Sequence, residues 1–169
     1  MADQPVFYYD LGDPRSYLVA EQIMTALPVV PEWEPVPAAE LGLPAVEPHR
    51  AEIERRAAEL GLQRLRWPAR WPPDTHTAML AATYAKQIGR GVAFSLAGFR
   101  QAFAAGRDLG DENTILIAGA ACEMHPAALL KGIGLRSTSE AMARAVERAR
   151  GHGVRELPAV IGAGAGALA

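Results

Sequence analysis

The feature that most constrains this 169-residue chain is a short run near its start, Val6-Phe7-Tyr8-Tyr9-Asp10-Leu11, which is β-branched and aromatic with apolar residues on both alternating faces. A strand with one wet side alternates apolar and polar residues. One that is apolar on both sides has to be covered on both, as in a sheet sandwiched between helices. Directly after it come Gly12-Asp13-Pro14-Arg15-Ser16 and then Tyr17, Leu18, Ala20, Ile23, Met24 and Leu27, apolar at spacings of about three and four. Asp13 suits the N-cap, where a carboxylate takes up the free N–H groups of a first turn, and Pro14 suits the first helical position. Pro28 lies just past the expected end of this helix.

Val29 to Val36 reads as a second strand, and Pro31 and Pro35, which cannot donate to a ladder, push it to a sheet edge. Two strands joined through a helix pair in parallel with a right-handed crossover. From residue 44 to 135 the period is helical. The expected helices run from Pro48 to Leu60, from Asp74 or Thr75 to Ile88, from Gly91 to near Gly106, from Thr114 to Ala121, and from His125-Pro126 to Lys131. Trp67-Pro68-Ala69-Arg70-Trp71-Pro72-Pro73 is a rigid connector, with its tryptophans as packing anchors or as walls of a cleft under the helices. Ser137-Thr138-Ser139-Glu140 matches a capping box, opening a helix closed by Gly151 and Gly153. Val154 to Ile161 reads as a last strand, and Gly162 to Ala169 as a flexible end. The division expected is an α/β part, residues 1–43 and 136–169, holding an inserted helical lobe, residues 44–135.

Charge excludes some functions. Seventeen basic against nineteen acidic residues leave a formal net charge of −2, without a concentrated run of either sign, so neither nucleic acid nor a membrane surface is an expected partner. The single cysteine, Cys122, can form no internal disulfide and no zinc cage, and it reads as a small core residue. His49, His76 and His152 are scattered and read as solvent-facing or locally bonded. The start, Met1-Ala2-Asp3-Gln4-Pro5, lacks a basic segment and apolar run, and no 18-residue apolar stretch occurs further on, so the expectation is a cytoplasmic protein.

Chemistry is expected at the turn between the first strand and first helix. There a helix N-terminus beyond the strand ends offers N–H groups and partial positive charge, and Asp13, Arg15 and Ser16 are its side chains. The order of strand, Asp13-Pro14-Arg15-Ser16, helix, helical insertion and Gly153-Val154-Arg155-Glu156-Leu157-Pro158 resembles the DsbA-like thioredoxin superfamily. That superfamily is marked by a Cys-Pro-x-Cys motif and a later cis-proline loop. Phe7 to Glu21, together with Ala102 to Leu109, is similar to its branch of 2-hydroxychromene-2-carboxylate isomerases and kappa-class glutathione transferases.

The resemblance implies a helix-rich α/β chain with a thioredoxin-like fold and a helical insertion. It also implies glutathione or an equivalent low-molecular-weight thiol lying between the helix start and the proline loop, held by Pro14, Arg15, Leu157 and Pro158. Asp13 and Ser16 are then the catalytic pair, acting on a small apolar or aromatic substrate. In that branch the position of Asp13 is a serine that steadies a thiolate; in the oxidoreductases it is a cysteine. A hydroxyl donates to a thiolate, whereas a carboxylate only accepts, so Asp13 would act protonated or as a general base, with Ser16 as an alternative donor. Family members continue past the proline strand for longer than this chain's eleven residues after Pro158, which implies a sheet lacking its closing edge strand and open to pairing in a homodimer. The alternative reading is a catalytically silent relative that binds a small molecule or partner without disulfide chemistry.

Overall fold

The computed structural model describes residues 3–45 and 47–168. Met1, Ala2 and Ala169, which belong to the two chain ends considered above, lie outside the described residues, as does Val46. The elements are β1 (Val6–Tyr9), α1 (Pro14–Ala20), α2 (Ile23–Ala26), β2 (Glu32–Pro35), α3 (Arg50–Glu59), α4 (His76–Gln87), α5 (Gly91–Phe103), α6 (Glu112–Ala121), α7 (Pro126–Ile133), α8 (Arg136–Gly151) and β3 (Ala159–Ile161), with a 3-10 turn (Ala165–Leu168) after them.

The sheet has the order β2-β1-β3. β1 runs parallel to β2, with Phe7 opposite Trp33, and antiparallel to β3, with Phe7 opposite Val160. The doubly apolar strand is thus central and the proline-bearing strand is at an edge. β1 is covered on both faces. Phe7, Tyr9 and Leu11 join a core with Tyr17, Trp33, Phe94, Phe99 and Phe103 that runs without a break into the helical lobe. Val6 and Tyr8 face Val36, Val146, Ala149, Val154 and Leu157, under α8. Phe7 stacks on Tyr9 at 4.9 Å and meets Trp33 edge-on at 5.0 Å, geometries that add about 0.5–1.5 kcal/mol per pair beyond burial. Gly98 lets α5 approach, since a Cβ there would lie 3.3 Å from Leu11 Cδ1.

Several local expectations are corrected. The first helix does not continue to Leu27. It closes at Glu21, whose carboxylate pairs with Arg100 of α5 at 2.7 Å, and the short α2 then turns Ile23 into the core. The capping box is not formed: α8 starts at Arg136 behind Leu135, and the Thr138 hydroxyl donates to the Gly132 carbonyl at 2.7 Å instead. The tight α7–α8 junction carries Thr138 inward, where a backbone acceptor is waiting. The last strand is three residues long, not eight, because the chain bends through residues 156–158 before pairing. The glycine-alanine tail forms its 3-10 turn against α2, with Leu168 packed on the core. No helix among the described residues is long and apolar enough to cross a membrane.

A charged seam fixes β2 to the helices beyond it. Trp33 points into the core while its neighbours Glu32 and Glu34 point the other way, toward Lys86 of α4 and Arg148 of α8. Lys86 Nζ lies 2.9 Å from Glu34 Oε1, and Arg148 Nη1 lies 2.7 Å from Glu34 Oε2 and also donates to Glu32.

Candidate functional site

The turn after β1 is closed by the Asp13 N–H donating to the Asp10 carbonyl at 3.0 Å, which leaves Asp13 extended (φ −96°, ψ 117°) as the N-cap of α1. Its Oδ1 accepts from the Arg15 N–H at 3.3 Å. Its Oδ2 accepts from the Ser16 N–H at 3.0 Å and from the Ser16 hydroxyl at 2.7 Å. Ser16 has no exposed surface, so its hydroxyl is committed to Asp13 and faces no ligand directly. The Asp13 side chain keeps 20% of its surface exposed and Arg15 58%. Of the side chains at this cap, those two are the ones with exposed surface.

Arg15 then reaches across the molecule. Its Nη2 donates to the Leu157 carbonyl at 2.9 Å, over a sequence separation of 142 residues, and the Leu157–Pro158 peptide bond is cis. The two stretches singled out in the sequence therefore meet at one junction. Beside it, an open depression of about 430 Å³ is lined by Val154, Arg155, Glu156, Pro158 and Ala159. A second depression, about 280 Å³, is lined by Tyr84, Arg90, Glu123 and His125 and shares no residue with the junction.

Burial pushes the Asp13 carboxyl up to about 6, against the opposing pull of the Ser16 hydroxyl, the Arg15 charge and the two N–H groups. The competition between desolvation and the helix start is won by desolvation. A carboxyl titrating there exchanges protons near neutral pH, which suits it for general acid or base work.

Asp10 was not singled out in the sequence. It is buried at 4% exposure, and its carboxylate accepts from the Gly12 N–H at 2.9 Å, the Ala38 N–H at 2.8 Å and the Thr75 hydroxyl at 3.3 Å. Burial raises its pKa as well. One side chain thereby holds together the β1–α1 turn, the segment after β2 and the lobe. The available signal was a carboxylate inside an otherwise apolar strand, since acids are almost never buried without partners. Thr75 and Pro73 press so closely on the turn that a Cβ at Gly12 would lie 2.5 Å from Thr75 Cγ2.

The remaining candidates have local roles. His125 caps α7 through its Nδ1, and the Cys122 thiol donates to carbonyls of α6, its pKa raised by burial. His152 Nδ1 lies 2.7 Å from the Tyr8 hydroxyl, on the face of β1 turned toward α8. Trp67 meets Trp71 edge-on at 5.8 Å, packs on Phe103 and donates from Nε1 to Glu54 at 2.8 Å, anchoring the connector to α3 and α5. Among the described residues there is no cluster of three or more His, Cys, Asp or Glu placed to hold a metal ion.

By sequence, no family model and no curated protein matches the chain. By structure, it is similar to a 2-hydroxychromene-2-carboxylate isomerase with a TM-score of 0.80, 15% identity, and 94% of this chain and 85% of the other covered. It is also similar to a probable DsbA oxidoreductase from Streptomyces coelicolor, with a TM-score of 0.73, 16% identity and coverage of 94% and 80%. A third similar structure, a proposed protein disulfide isomerase from Nitrosomonas europaea, has a TM-score of 0.67, 14% identity and coverage of 95% and 85%. The chain has the DsbA-like thioredoxin fold with its helical insertion.

Proposed function

We propose that this chain is a thiol-dependent isomerase or transferase, using glutathione or an equivalent low-molecular-weight thiol on a small apolar or aromatic substrate. The observation that supports the reading is the Arg15–Leu157 bond, which joins the helix start that carries Asp13, a titratable carboxyl, to the cis-proline stretch at Pro158. The residues present suit an anionic thiol: Arg15 and Arg155 are cations for its carboxylates, and the depression along residues 154–159 gives it room.

When bound, the thiol supplies a soft nucleophile. Asp13 acts as its general base: an ionised carboxylate takes the S–H proton and becomes neutral, so the pair carries one negative charge before and after and no like-charge repulsion builds up. In the isomerisation Asp13 lends that proton to the substrate, recovers it and returns it to the departing sulfur, so no net proton stays on the product. Ser16 is a positioning residue whose hydroxyl fixes Asp13 Oδ2. Arg15 orients the thiol's carboxylate and ties the two stretches together. Disulfide exchange within the chain is not part of this chemistry, because its one cysteine is spent on the end of α6.

The test is calorimetric titration with reduced glutathione, and then turnover of an aromatic cis-enone, which a reversible thiol addition converts to the trans form. Binding with turnover that Asp13→Asn lowers by roughly 100-fold or more is the expected result. Binding without turnover would favour the silent reading, and no binding at millimolar thiol would remove the proposal.

A further inference from the structure

Most arginines of this protein have a partner. Arg55, Arg56, Arg100, Arg136, Arg148 and Arg150 all pair with carboxylates. Arg64, Arg66, Arg70, Arg90, Arg107, Arg144 and Arg155 have no carboxylate within 4.0 Å among the described residues, and three of these seven fall in one stretch. Between Glu59 and Asp74 lie fourteen residues with Arg64, Arg66 and Arg70 and no acid. All three are exposed, and none has a carboxylate within 4.0 Å among the described residues.

The stretch is held rigidly. Leu65 is buried between Arg64 and Arg66, the Arg66 N–H donates to the Phe103 carbonyl at 2.8 Å, and Trp67 and Trp71 anchor the connector on its C-terminal side. A fourth exposed and unpaired arginine, Arg107, joins it from another element: Gly106, at φ +68°, sits so close that a Cβ would lie 3.2 Å from Arg66 Cβ and 3.3 Å from the Arg66 carbonyl. The nearby carboxylates are otherwise engaged, with Glu54 on the Trp67 indole, Asp108 on the Gly110 N–H and Asp74 on the His76 N–H. A chain of net charge −2 thus carries Arg64, Arg66 and Arg70, exposed and unpaired among the described residues, on one connector, with Arg107 following the glycine that packs on Arg66.

We propose that this strip, Arg64, Arg66, Arg70 and Arg107, is a docking surface for an extended acidic segment of a partner protein. Guanidinium groups bind carboxylates bidentately, and they cost less to desolvate than lysines would. The spacing favours a peptide. Arg64 and Arg66 flank an inward Leu65, and side chains two residues apart on extended backbone are about 7 Å apart, the interval at which an extended peptide presents acids at alternate positions. Buried Leu65 and the Arg66 N–H bond to Phe103 fix the backbone from which these side chains project, so binding orders the side chains and not the chain beneath them. The surface is independent of the proposed thiol chemistry and does not include Asp13 or Arg15.

The test uses the full chain and a twelve-residue peptide alternating glutamate and serine, with a single-stranded oligodeoxynucleotide of the same length as rival. Fluorescence anisotropy at two salt concentrations gives the affinities. We expect peptide binding that weakens with salt, falls about tenfold or more in the Arg64→Ala/Arg66→Ala/Arg107→Ala variant, and is unchanged in Arg144→Ala, an exposed arginine on α8 outside the strip. The variants alter exposed side chains, and their melting temperatures check that the fold is intact. Absence of peptide binding, equal binding by the triple variant, or tighter binding of the oligonucleotide than of the peptide would each overturn the proposal.

Discussion

Asp10 and Asp13 stand three residues apart at the end of the same strand, and burial raises both carboxyls, yet they do different work. Asp10 has donors from three separate parts of the chain on its oxygens and almost no exposed surface. Asp13 has donors only from its own helix turn and keeps an exposed side. The first is a fastener. The second is a titratable group at an opening. Desolvation alone does not make a carboxylate chemical; it has to come with access and with partners that leave the proton free to move.

The same substitution at the two positions breaks the comparison most directly. Asp10→Asn puts an amide NH₂ against a backbone N–H and is expected to destabilise by about 3 kcal/mol, measured by urea unfolding at pH 7. A loss under 1 kcal/mol would show that Asp10 is not the fastener. Asp13→Asn keeps an acceptor for Ser16 and a good N-cap, and its NH₂ replaces only the long, exposed 3.3 Å contact from the Arg15 N–H, so it should be neutral or stabilising at pH 7, by at most on the order of 1–3 kcal/mol, while abolishing proton transfer.

The sign comes from linkage. The folded state holds the Asp13 proton more tightly than the unfolded state does, so the contribution of Asp13 to stability falls as pH rises from the ordinary 3.8 toward about 6 and then levels off. The asparagine variant should lack that part of the slope; an unchanged profile would count against a raised Asp13.

Smaller effects sharpen the contrast. Ser16→Ala removes one hydrogen bond, costs about 1 kcal/mol, and should move the Asp13 titration above 6, since the hydroxyl now pulls it down. A pH–rate profile identical to wild type would leave Ser16 with a packing role only. Thr75→Val keeps the shape and deletes the long 3.3 Å bond to Asp10, with an expected loss of about 0.5 kcal/mol and no change in the pH profile. A shifted profile would mean that the lobe contact tunes Asp13.

Much of the site was legible because its signals are short-range. Asp13 caps, Pro14 comes next, and Tyr17, Leu18 and Ala20 are buried along α1, while Ile23 reaches the core from the separate α2 and Met24 stays exposed. The capping box at Ser137 to Glu140 has the right letters and is not used, since α8 already begins at Arg136, which puts Ser137 inside the helix, and Glu140 accepts from Arg136. The extended reading of residues 154–158 fails for a different reason: the chain bends at Leu157, where Arg15 takes the carbonyl. That competitor cannot be seen within a window of ten residues.

By itself the sequence determined that β1 is central, that β2 lies at an edge, and where α1 begins, because side-chain period, a missing N–H and a capping carboxylate act within a few residues. Only the tertiary structure decided that Arg15 meets Leu157, that Asp10 joins residues 12, 38 and 75, and that Asp13 titrates near neutrality. Those depend on which distant atoms exclude water from a group and which donors reach it, and the chain has to close on itself before either is defined.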